Sequence, residues 1–274
     1  MLENTHLDEQ RPIEIAPSIY LVNFHDTKSN MYCNPYLIVE GHEAVLIDGG
    51  SRRHFPTVIM KILQTGVVPG SILALVYQHY DPDVCGSILH LEDIIGRDDL
   101  KVISEDPDAA FVRHYGATTP LLTLKDVHHE FRFSSGRRLQ FINLPHAHTP
   151  GSFCTYDWKS GVLFSGDLFG SFIRDETSFL ELGPICVGCR ERQVCRAGKA
   201  VCAFTGLVQF HQTFMPSEKA LRYALKQVKS VPFSVIAPQH GSIIRGSDDI
   251  TLVCEELAAL RGVGIDRIVP ESAP

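Results

Sequence analysis

Residues 78–88 read QHYDPDVCGSI and follow directly on the apolar run ILALVY at 72–77. One imidazole and two carboxylates, those of His79, Asp81 and Asp83, stand here at alternate positions. Binding sites in open α/β sheets commonly lie just beyond the C-terminal ends of buried strands. The stretch is therefore either an ordinary polar loop or one edge of a metal site, and the rest of the chain must discriminate between the two.

The composition excludes several classes of partner. The 274 residues are 44% hydrophobic and 21% charged, which is ordinary for a globular protein with a sizeable core. A net charge of −7 without any Lys/Arg run argues against nucleic acid and against an anionic membrane surface. No apolar stretch approaches the ~18 residues of a membrane span, and the polar N-terminus is unlike a signal peptide. We therefore expect a cytoplasmic protein, whose eight cysteines bind metal or act in redox chemistry rather than form structural disulfides.

Apolar strand-like runs alternate with helical segments along the chain, without repeats or a linker. Predicted strands lie at 18–24, 34–40, 43–50, 72–77, 101–105, within 126–144 and 154–167 as strand pairs, and at 233–242. Predicted helices lie at 55–66, 87–96, 215–232 and 248–264. The pattern predicts a layered α/β sandwich that forms one domain over 1–274, with an insert at about 183–204.

Further candidate ligands stand just beyond other predicted strands. His148 lies in LPHAHTPGS, Asp167 ends VLFSGD, and His240 ends FSVIAPQH. One sheet edge can bring such segments together, and three imidazoles with three carboxylates suit two metals that share a bridging carboxylate. Carboxylate-rich ligation favours iron or manganese, and zinc is the alternative. The predicted ligands are His79, Asp81, Asp83, His148, Asp167 and His240.

The order H-x-[E/D]-x-D, H-T-P-G-S, strand-end S-G-D and A-P-x-H-G resembles the metallo-β-lactamase superfamily over nearly the whole chain. LIDGG at 46–50 is similar to an early turn of that fold, in which Asp48 has a structural role. The resemblance implies a metallo-β-lactamase-like αββα four-layer sandwich. Most hydrolases of the superfamily have histidine where this chain has Asp81. A carboxylate there resembles the diiron domain of flavodiiron proteins, which reduce dioxygen or nitric oxide.

The resemblance also implies how the ligands are shared. One iron would take His79, Asp81 and His148, the other would take Asp83 and His240, and Asp167 would bridge them. The sixth motif position, histidine in that family, is Val84 here, which leaves an open coordination site or a substitute donor. His90 is the predicted substitute, because six residues make roughly 1.7 helical turns if the helix begins near 82–83. Cys85 is adjacent but awkwardly directed, and His146 is a further option.

The resemblance bears on electron supply as well. Flavodiiron proteins continue into a flavodoxin-like domain, and in their head-to-tail homodimer the flavin of one subunit serves the irons of the other. The 274 residues contain no such FMN domain. We therefore expect electrons to arrive by another route, from an electron-donor protein.

Four cysteines of the stretch 183–202, GPICVGCRERQVCRAGKAVC, follow a C-x2-C-x5-C-x6-C pattern: Cys186, Cys189, Cys195 and Cys202. Soft thiolates fit a [4Fe–4S] cluster or zinc, and a redox-active disulfide or incidental thiols are the simpler readings. Our hypothesis is a [4Fe–4S] cluster that relays electrons in place of the flavin. Basic residues surround these thiols: Arg190, Arg192, Arg196 and Lys199. The remaining cysteines, Cys33, Cys85, Cys154 and Cys254, have the pattern of buried small hydrophobic residues.

The predicted function is that of a diiron protein that binds and reduces dioxygen or nitric oxide. One alternative is a dinuclear zinc hydrolase of thioesterase or lactonase type, in which a metal-bound hydroxide attacks a carbonyl. Asp81 and Val84 argue against it, because the hydrolases have nitrogen ligands at those positions. The other alternative is an oxygen or redox sensor without turnover. Tyr80, Tyr156 and His211 are candidate proton donors, among which the sequence does not choose.

Overall fold

The structure is a computed structural model that describes residues 10–175, 177–189 and 194–269. Its strands are β1 (Ile13–Ala16), β2 (Ile19–Leu21), β3 (Phe24–Asp26), β4 (Met31–Cys33), β5 (Tyr36–Glu40), β6 (Glu43–Ile47), β7 (Ile72–Val76), β8 (Lys101–Ile103), β9 (Leu121–Leu122), β10 (Glu130–Arg132), β11 (Arg138–Asn143), β12 (Phe153–Asp157), β13 (Val162–Gly166), β14 (Val235–Pro238) and β15 (Ile244–Arg245). Its helices are α1 (Phe55–Gln64), α2 (Pro82–Cys85), α3 (Ile88–Ile95), α4 (Asp108–Val112), α5 (Ala203–Phe214), α6 (Glu218–Val228), α7 (Ser247–Ala259) and α8 (Ile265–Ile268). Within the described ranges, none of these helices combines the length and apolarity needed to cross a membrane.

The strands form two large sheets and a small hairpin. The first sheet has the order β1-β2-β5-β6-β7-β8-β9, with β6 to β9 running parallel. The second has the order β10-β11-β12-β13-β14-β15, in which β13 and β14 are the parallel pair. Strands β3 and β4 form a separate two-stranded sheet, and Cys33 at the end of β4 also makes an isolated bridge to His240. In both large sheets, therefore, neighbouring parallel strands end at the same edge, where polar loops can meet.

Alternating side chains explain the layers. In β6, Val45 faces the apolar interior between the two sheets, and its neighbour Leu46 packs against α1 and α3. In β13, Phe164 faces the same interior, and Leu163 packs against α5, α6 and α7. Successive residues of a strand point to opposite sides, so these strands have apolar residues on both faces of their sheet. One face is covered by the other sheet and the opposite face by helices. Two sheets between two helical layers confirm the predicted αββα sandwich.

Helix α5 lies in a segment for which the sequence predicted no helix. Its buried residues Phe204, Leu207 and Phe210 stand at every third position and lie along one broad face of the helix. A Cβ at Gly206 would lie 2.6 Å from the hydroxyl oxygen of Ser171. This glycine therefore allows the helix backbone to approach the chain that follows β13.

An ion-pair network links the two sheets at the edge where β6 and β13 begin. The guanidinium of Arg137 donates to both carboxylate oxygens of Asp157, at 3.1 and 2.6 Å. It also donates to the backbone oxygen of Val39 and to the Glu40 carboxylate at the end of β5. The arginine and Asp157 side chains are almost fully buried. This network fixes the second sheet to the first.

Candidate dinuclear metal centre

The first sheet supplies the QHYDPDVCGSI loop. Strand β7 ends at Val76, and the N–H of Gln78 donates to the buried carboxylate of Asp48 at 3.1 Å, which holds the start of the loop. Burial raises the pKa of Asp48 to about 7. Pro82 begins the short helix α2 and fixes the chain between Asp81 and Asp83. Asp48 thus has the structural role that the resemblance implied.

The second sheet supplies His148, Asp167 and His240, which follow β11, β13 and β14. The Nδ1–H of His240 donates to the backbone oxygen of Tyr32 at 2.9 Å, and that of His148 donates to the backbone oxygen of Phe214 at 3.3 Å. A carbonyl partner of this kind fixes the tautomer and the ring orientation of a histidine. Both imidazoles therefore direct Nε2 toward the loop of the first sheet.

The side chains meet in two groups, in each of which the potential ligand atoms lie within 4.8 Å of one another. One group is His79, Asp81, His148 and Asp167, and the other is Cys33, Asp83 and His240. Asp167 lies between them. Its Oδ1 is 3.5 Å from Nε2 of His79 and 3.7 Å from Nε2 of His240, and its Oδ2 is 3.8 Å from Nε2 of His148.

The donor set fits two iron ions. Nε2 of His79 and Oδ1 of Asp167 are buried and have no hydrogen-bond partner among the described residues. Their side chains are only 2% and 4% exposed, and leaving such polar atoms unpaired is costly. Mixed imidazole and carboxylate ligation suits iron, and a shared carboxylate suits a pair of ions. The six predicted residues are thus brought together, and their role as metal ligands stays a prediction.

The carboxylates of the site change the titration of its histidines. Burial alone would lower the pKa of His148. Its 2.8 Å hydrogen bond to Asp81 and the charge of the nearby Asp167 have the larger effect, and they raise the pKa of His148 to about 9. The pKa of His79 is also raised, because Asp167 and Asp81 outweigh burial. At neutral pH, His148 therefore carries a proton on the nitrogen that faces the site.

A metal ion must displace this proton, so binding should depend on pH. We expect the affinity for Zn²⁺ to rise by nearly tenfold per pH unit from pH 7, more gradually as the pH approaches 9, and to level off above pH 9, where His148 is largely neutral. Competition with a chelator of known pH dependence measures this affinity. A constant affinity over the same range would contradict the protonated state of His148.

His90 and the other substitute donors lie away from the second group. The helix is interrupted at Gly86–Ser87, so α3 begins only at Ile88, and the His90 ring packs against Phe55 with centroids 5.2 Å apart. The sulfur of Cys85 donates to the backbone oxygen of His79, and His146 is exposed. The structure therefore does not support the assignment of His90 as a ligand.

Cys33 is the residue of the site that sequence reasoning missed. It ends β4, and its thiol donates to Oδ2 of Asp83 at 3.4 Å. Burial and the Asp83 carboxylate raise the pKa of this thiol, which is therefore protonated at neutral pH. The pattern of the sequence had assigned it to apolar packing. The one available signal was its position directly before NPYLIVE, at the entry to a central strand.

The four insert cysteines do not form a compact group. Thiolates around one zinc are about 3.8 Å apart, as Zn–S bonds of about 2.3 Å require. No group of three or more ligand atoms within 4.8 Å forms among them in the part of the chain that the structure describes. Cys186 and Cys195 pack against the same apolar cluster that contains Cys202. Arg190 and Arg192 lie outside the described residues, and the [4Fe–4S] relay stays a prediction.

The candidate proton donors differ in their surroundings. Both ring nitrogens of the fully buried His211 are engaged, one by the N–H of Phe169 and one by the backbone oxygen of Leu207. Burial lowers its pKa to about 4, so it is neutral and supports the chain after Asp167. The hydroxyl of Tyr156 donates to the backbone oxygen of Pro232. Tyr80 stacks on Phe111 beside the loop and remains the candidate nearest to the ligands in sequence.

The four-layer fold and the His/Asp cluster at its strand ends define a metallo-β-lactamase-like protein with a candidate two-metal site. Residues 31–241 match the family described as "ODP family beta lactamase". The chain belongs to this family, which is consistent with the resemblance stated above.

Relatives and solved structures agree with this assignment. The anaerobic nitric oxide reductase flavorubredoxin of Vibrio vulnificus is 30% identical over 64% of this chain and 35% of its own length. The chemotaxis sensor ODP from T. denticola superposes with a TM-score of 0.68, at 22% identity, over 94% of this chain and 96% of that one. Rubredoxin oxygen:oxidoreductase from Desulfovibrio gigas does so with a TM-score of 0.69, at 19% identity, over 90% and 60%. The chain spans between 26% and 58% of the length of eight curated relatives that it matches.

Proposed function

We propose that the chain is a diiron protein that binds and reduces dioxygen or nitric oxide. The observation that carries the proposal is the Asp167 carboxylate, which lies between two groups of ligands and has an unpaired buried oxygen aimed at both. Two iron ions held there would supply the electrons and the Lewis acidity needed to bind and reduce the gas. His79, Asp81 and His148 would hold one iron, Asp83 and His240 would hold the other, and Asp167 would bridge them.

The surrounding residues give these ligands access and orientation. A cavity of about 310 Å³ is lined by Asp81, Asp83, His148 and Phe214 and has room for a diatomic molecule. The backbone oxygens of Tyr32 and Phe214 hold His240 and His148 in place. Phe24 and Phe214 add apolar surface to the lining of this cavity, whereas Asp81 and Asp83 are 31% and 28% exposed, so solvent reaches the ligands through it.

The relatives support this choice of reaction. The Vibrio vulnificus relative is named a nitric oxide reductase, the Desulfovibrio gigas structure an oxygen oxidoreductase, and the T. denticola structure a chemotaxis sensor. The first two favour an oxidoreductase over a zinc hydrolase. The third is the reason to retain, as the alternative function, a sensor that binds the gas without turnover.

Metal content and turnover test the proposal together. Protein purified without oxygen should contain about two irons per chain beyond any cluster iron, with a Mössbauer spectrum of a coupled pair. Reduced protein should then consume dioxygen or nitric oxide catalytically. Slow oxidation without turnover would identify a sensor. Two zinc ions with no iron would overturn the proposal and favour thioester or lactone hydrolysis.

For electron supply we propose that Cys186, Cys189, Cys195 and Cys202 hold a [4Fe–4S] cluster that receives electrons from a donor protein. The proposal is supported by position: the apolar cluster that contains Cys202 and contacts Cys186 and Cys195 also contains Leu168 and Phe169, the neighbours of Asp167. The four thiols would have to move closer together to bind one cluster. A head-to-tail homodimer, as in the flavodiiron proteins, would bring such a relay near the irons of a second copy.

Replacing Cys189 by Ser tests the relay. We expect diiron content to stay unchanged, acid-labile sulfide to be lost, and reductant-driven turnover to fall to the background rate, because a thiolate ligand of the cluster is missing. The matched control is Cys254→Ser, which changes a half-buried thiol of α7. Unchanged turnover of the Cys189 variant would rule out the relay.

A further inference from the structure

The second group of ligands lacks one donor. Val84 occupies the position at which the flavodiiron motif has histidine, and it is fully buried among the apolar residues around α1 and α3. Apart from the shared Asp167, only Asp83 and His240 of the six predicted ligands lie on this side. The question is which side chain completes the coordination of the second metal.

Cys33 lies where the missing donor is needed. Its sulfur, a carboxylate oxygen of Asp83 and a ring nitrogen of His240 lie within 4.8 Å of one another, and the thiol is 3.4 Å from Oδ2 of Asp83. The residue is only 2% exposed. Sulfur, oxygen and nitrogen donors of these three types all bind transition metals, and the His240 member of the group lies 3.7 Å from the shared Asp167 carboxylate.

The backbone around Cys33 is fixed to the strand end that carries His240. Cys33 forms an isolated antiparallel bridge with His240, and the preceding Tyr32 accepts the Nδ1–H of the same imidazole. The side-chain amide of the next residue, Asn34, donates to the backbone oxygens of Pro238 and Gly241, both at 3.0 Å. The thiol is therefore held in a constant position relative to His240, as a ligand must be.

A second observation points to an ion at this place. Oδ1 of Asp167 is buried, has no hydrogen-bond partner in the described ranges, and lies 3.7 Å from Nε2 of His240. The same oxygen lies 3.5 Å from Nε2 of His79, and an unpaired buried carboxylate oxygen between two imidazoles is explained by cations bound on either side of it.

We propose that Cys33 is a ligand of the second metal and takes the place of the imidazole that is absent at position 84. The inference rests on the two-metal site of the proposed function, but not on the gas that the site binds. On binding, the S–H bond breaks, the proton passes to solvent through the cavity that Cys33 lines, and the sulfur lone pair forms the bond to the metal. No oxidation state changes in this step.

A thiolate has consequences that an imidazole does not have. It brings a negative charge to the second metal, and it is a softer donor than the ligands of the first metal. The two metal sites should therefore differ in affinity and in redox potential. The second iron should be the more readily oxidised of the two, because the additional negative charge stabilises the ferric ion.

Cobalt binding tests the proposal directly, because a Co²⁺–thiolate bond absorbs in the near ultraviolet and carboxylate or imidazole ligands do not. The full chain is used with Cys186, Cys189, Cys195 and Cys202 replaced by Ser, so that the insert contributes no thiolate absorption. We expect the band to develop only with the second equivalent of Co²⁺. One proton from a thiol should be released with it.

Two variants in the same background separate the outcomes. In Cys33→Ser the band should disappear, and the affinity for the second Co²⁺ should fall at least 10- to 100-fold, since loss of even an outer-shell partner costs this much. The first Co²⁺ should still bind with unchanged affinity. Cys154→Ser, which alters an equally buried thiol of β12 outside both groups, should keep the band.

X-ray absorption of the zinc-loaded background protein needs no variant at Cys33 and therefore does not depend on the folding of one. One sulfur at about 2.3 Å per two zinc ions is expected. Two bound metals with only nitrogen and oxygen neighbours, or a thiolate band that survives in Cys33→Ser, would overturn the assignment of Cys33. The proposed function would stand in that case, because it requires two irons and turnover but not a sulfur ligand.

Discussion

Asp167→Asn is expected to reduce metal binding from two ions per chain to fewer than one. The carboxylate faces His79 and His148 on one side and His240 on the other, so one substitution affects both ions. Asparagine conserves the size of the side chain, but its amide provides one oxygen, no charge, and an NH₂ group that repels cations. We expect the affinity for each metal to fall by at least 100-fold, as measured by metal analysis after dialysis and by direct titration.

The control for this variant is Asp99→Asn, which alters a carboxylate that is 73% exposed and paired with Arg97. It should retain both metals. Circular dichroism of the metal-free Asp167 variant should match the parent chain, because the volume of the side chain is preserved. If the variant still bound two ions tightly, Asp167 would not be the bridge, and the two groups would be independent mononuclear sites.

Arg137→Ala should lower the free energy of unfolding by about 3–5 kcal/mol. Removing the guanidinium leaves Asp157 buried without a countercharge, and breaking a buried ion pair from one side typically costs this much. Glu40 and the backbone oxygen of Val39 lose a donor as well. Chemical denaturation at a fixed metal concentration measures the effect.

Two comparisons make this result specific. Arg132→Ala removes a guanidinium that is 57% exposed and paired with Glu130, and it should change stability by less than about 1 kcal/mol. Arg137→Lys keeps the charge but not the two parallel hydrogen bonds, so its effect should be intermediate. Equal effects of the two alanine variants would mean that the sheets are not held by this network.

The sequence predicted most of the site because the ligands follow directly after strands. The position of each of these residues could be inferred from its neighbours in the sequence. Val76, Gly166 and Pro238 end strands whose apolar patterns are clear in the sequence, so the polar residues after them had to lie at strand ends, which the structure places at neighbouring edges of the two sheets. Cys33 could not be found in this way. It belongs to the small β3–β4 hairpin, and it meets His240, more than 200 positions away, through a single bridge that no pattern of spacing encodes.

The assignment of His90 as a ligand depended on where a helix begins. A continuous helix from Pro82 would have turned His90 toward the loop, but the chain closes α2 with four residues and restarts at Ile88. The break occurs at Ser87, whose N–H donates to the backbone oxygen of Gly50 at 3.0 Å instead of continuing the helix, and a Cβ at Gly86 would lie 2.9 Å from the backbone nitrogen of Arg52. This tight packing involves a segment from elsewhere in the chain, which propensity alone does not reveal.

The candidate ligands come from both sheets, and this has a consequence for the lifetime of the protein. Asp81 and Asp83 follow the first sheet, whereas His148, Asp167 and His240 follow the second, so bound ions join the two halves of the molecule opposite the Arg137 network. Ligands that bind only the native state add to its stability, by about 4 kcal/mol at a thousandfold excess over the dissociation constant. In the metal-free protein, the two sheets would separate first at this edge and expose backbone to proteases. Cellular iron supply would then determine how much of the protein persists as well as how much is active.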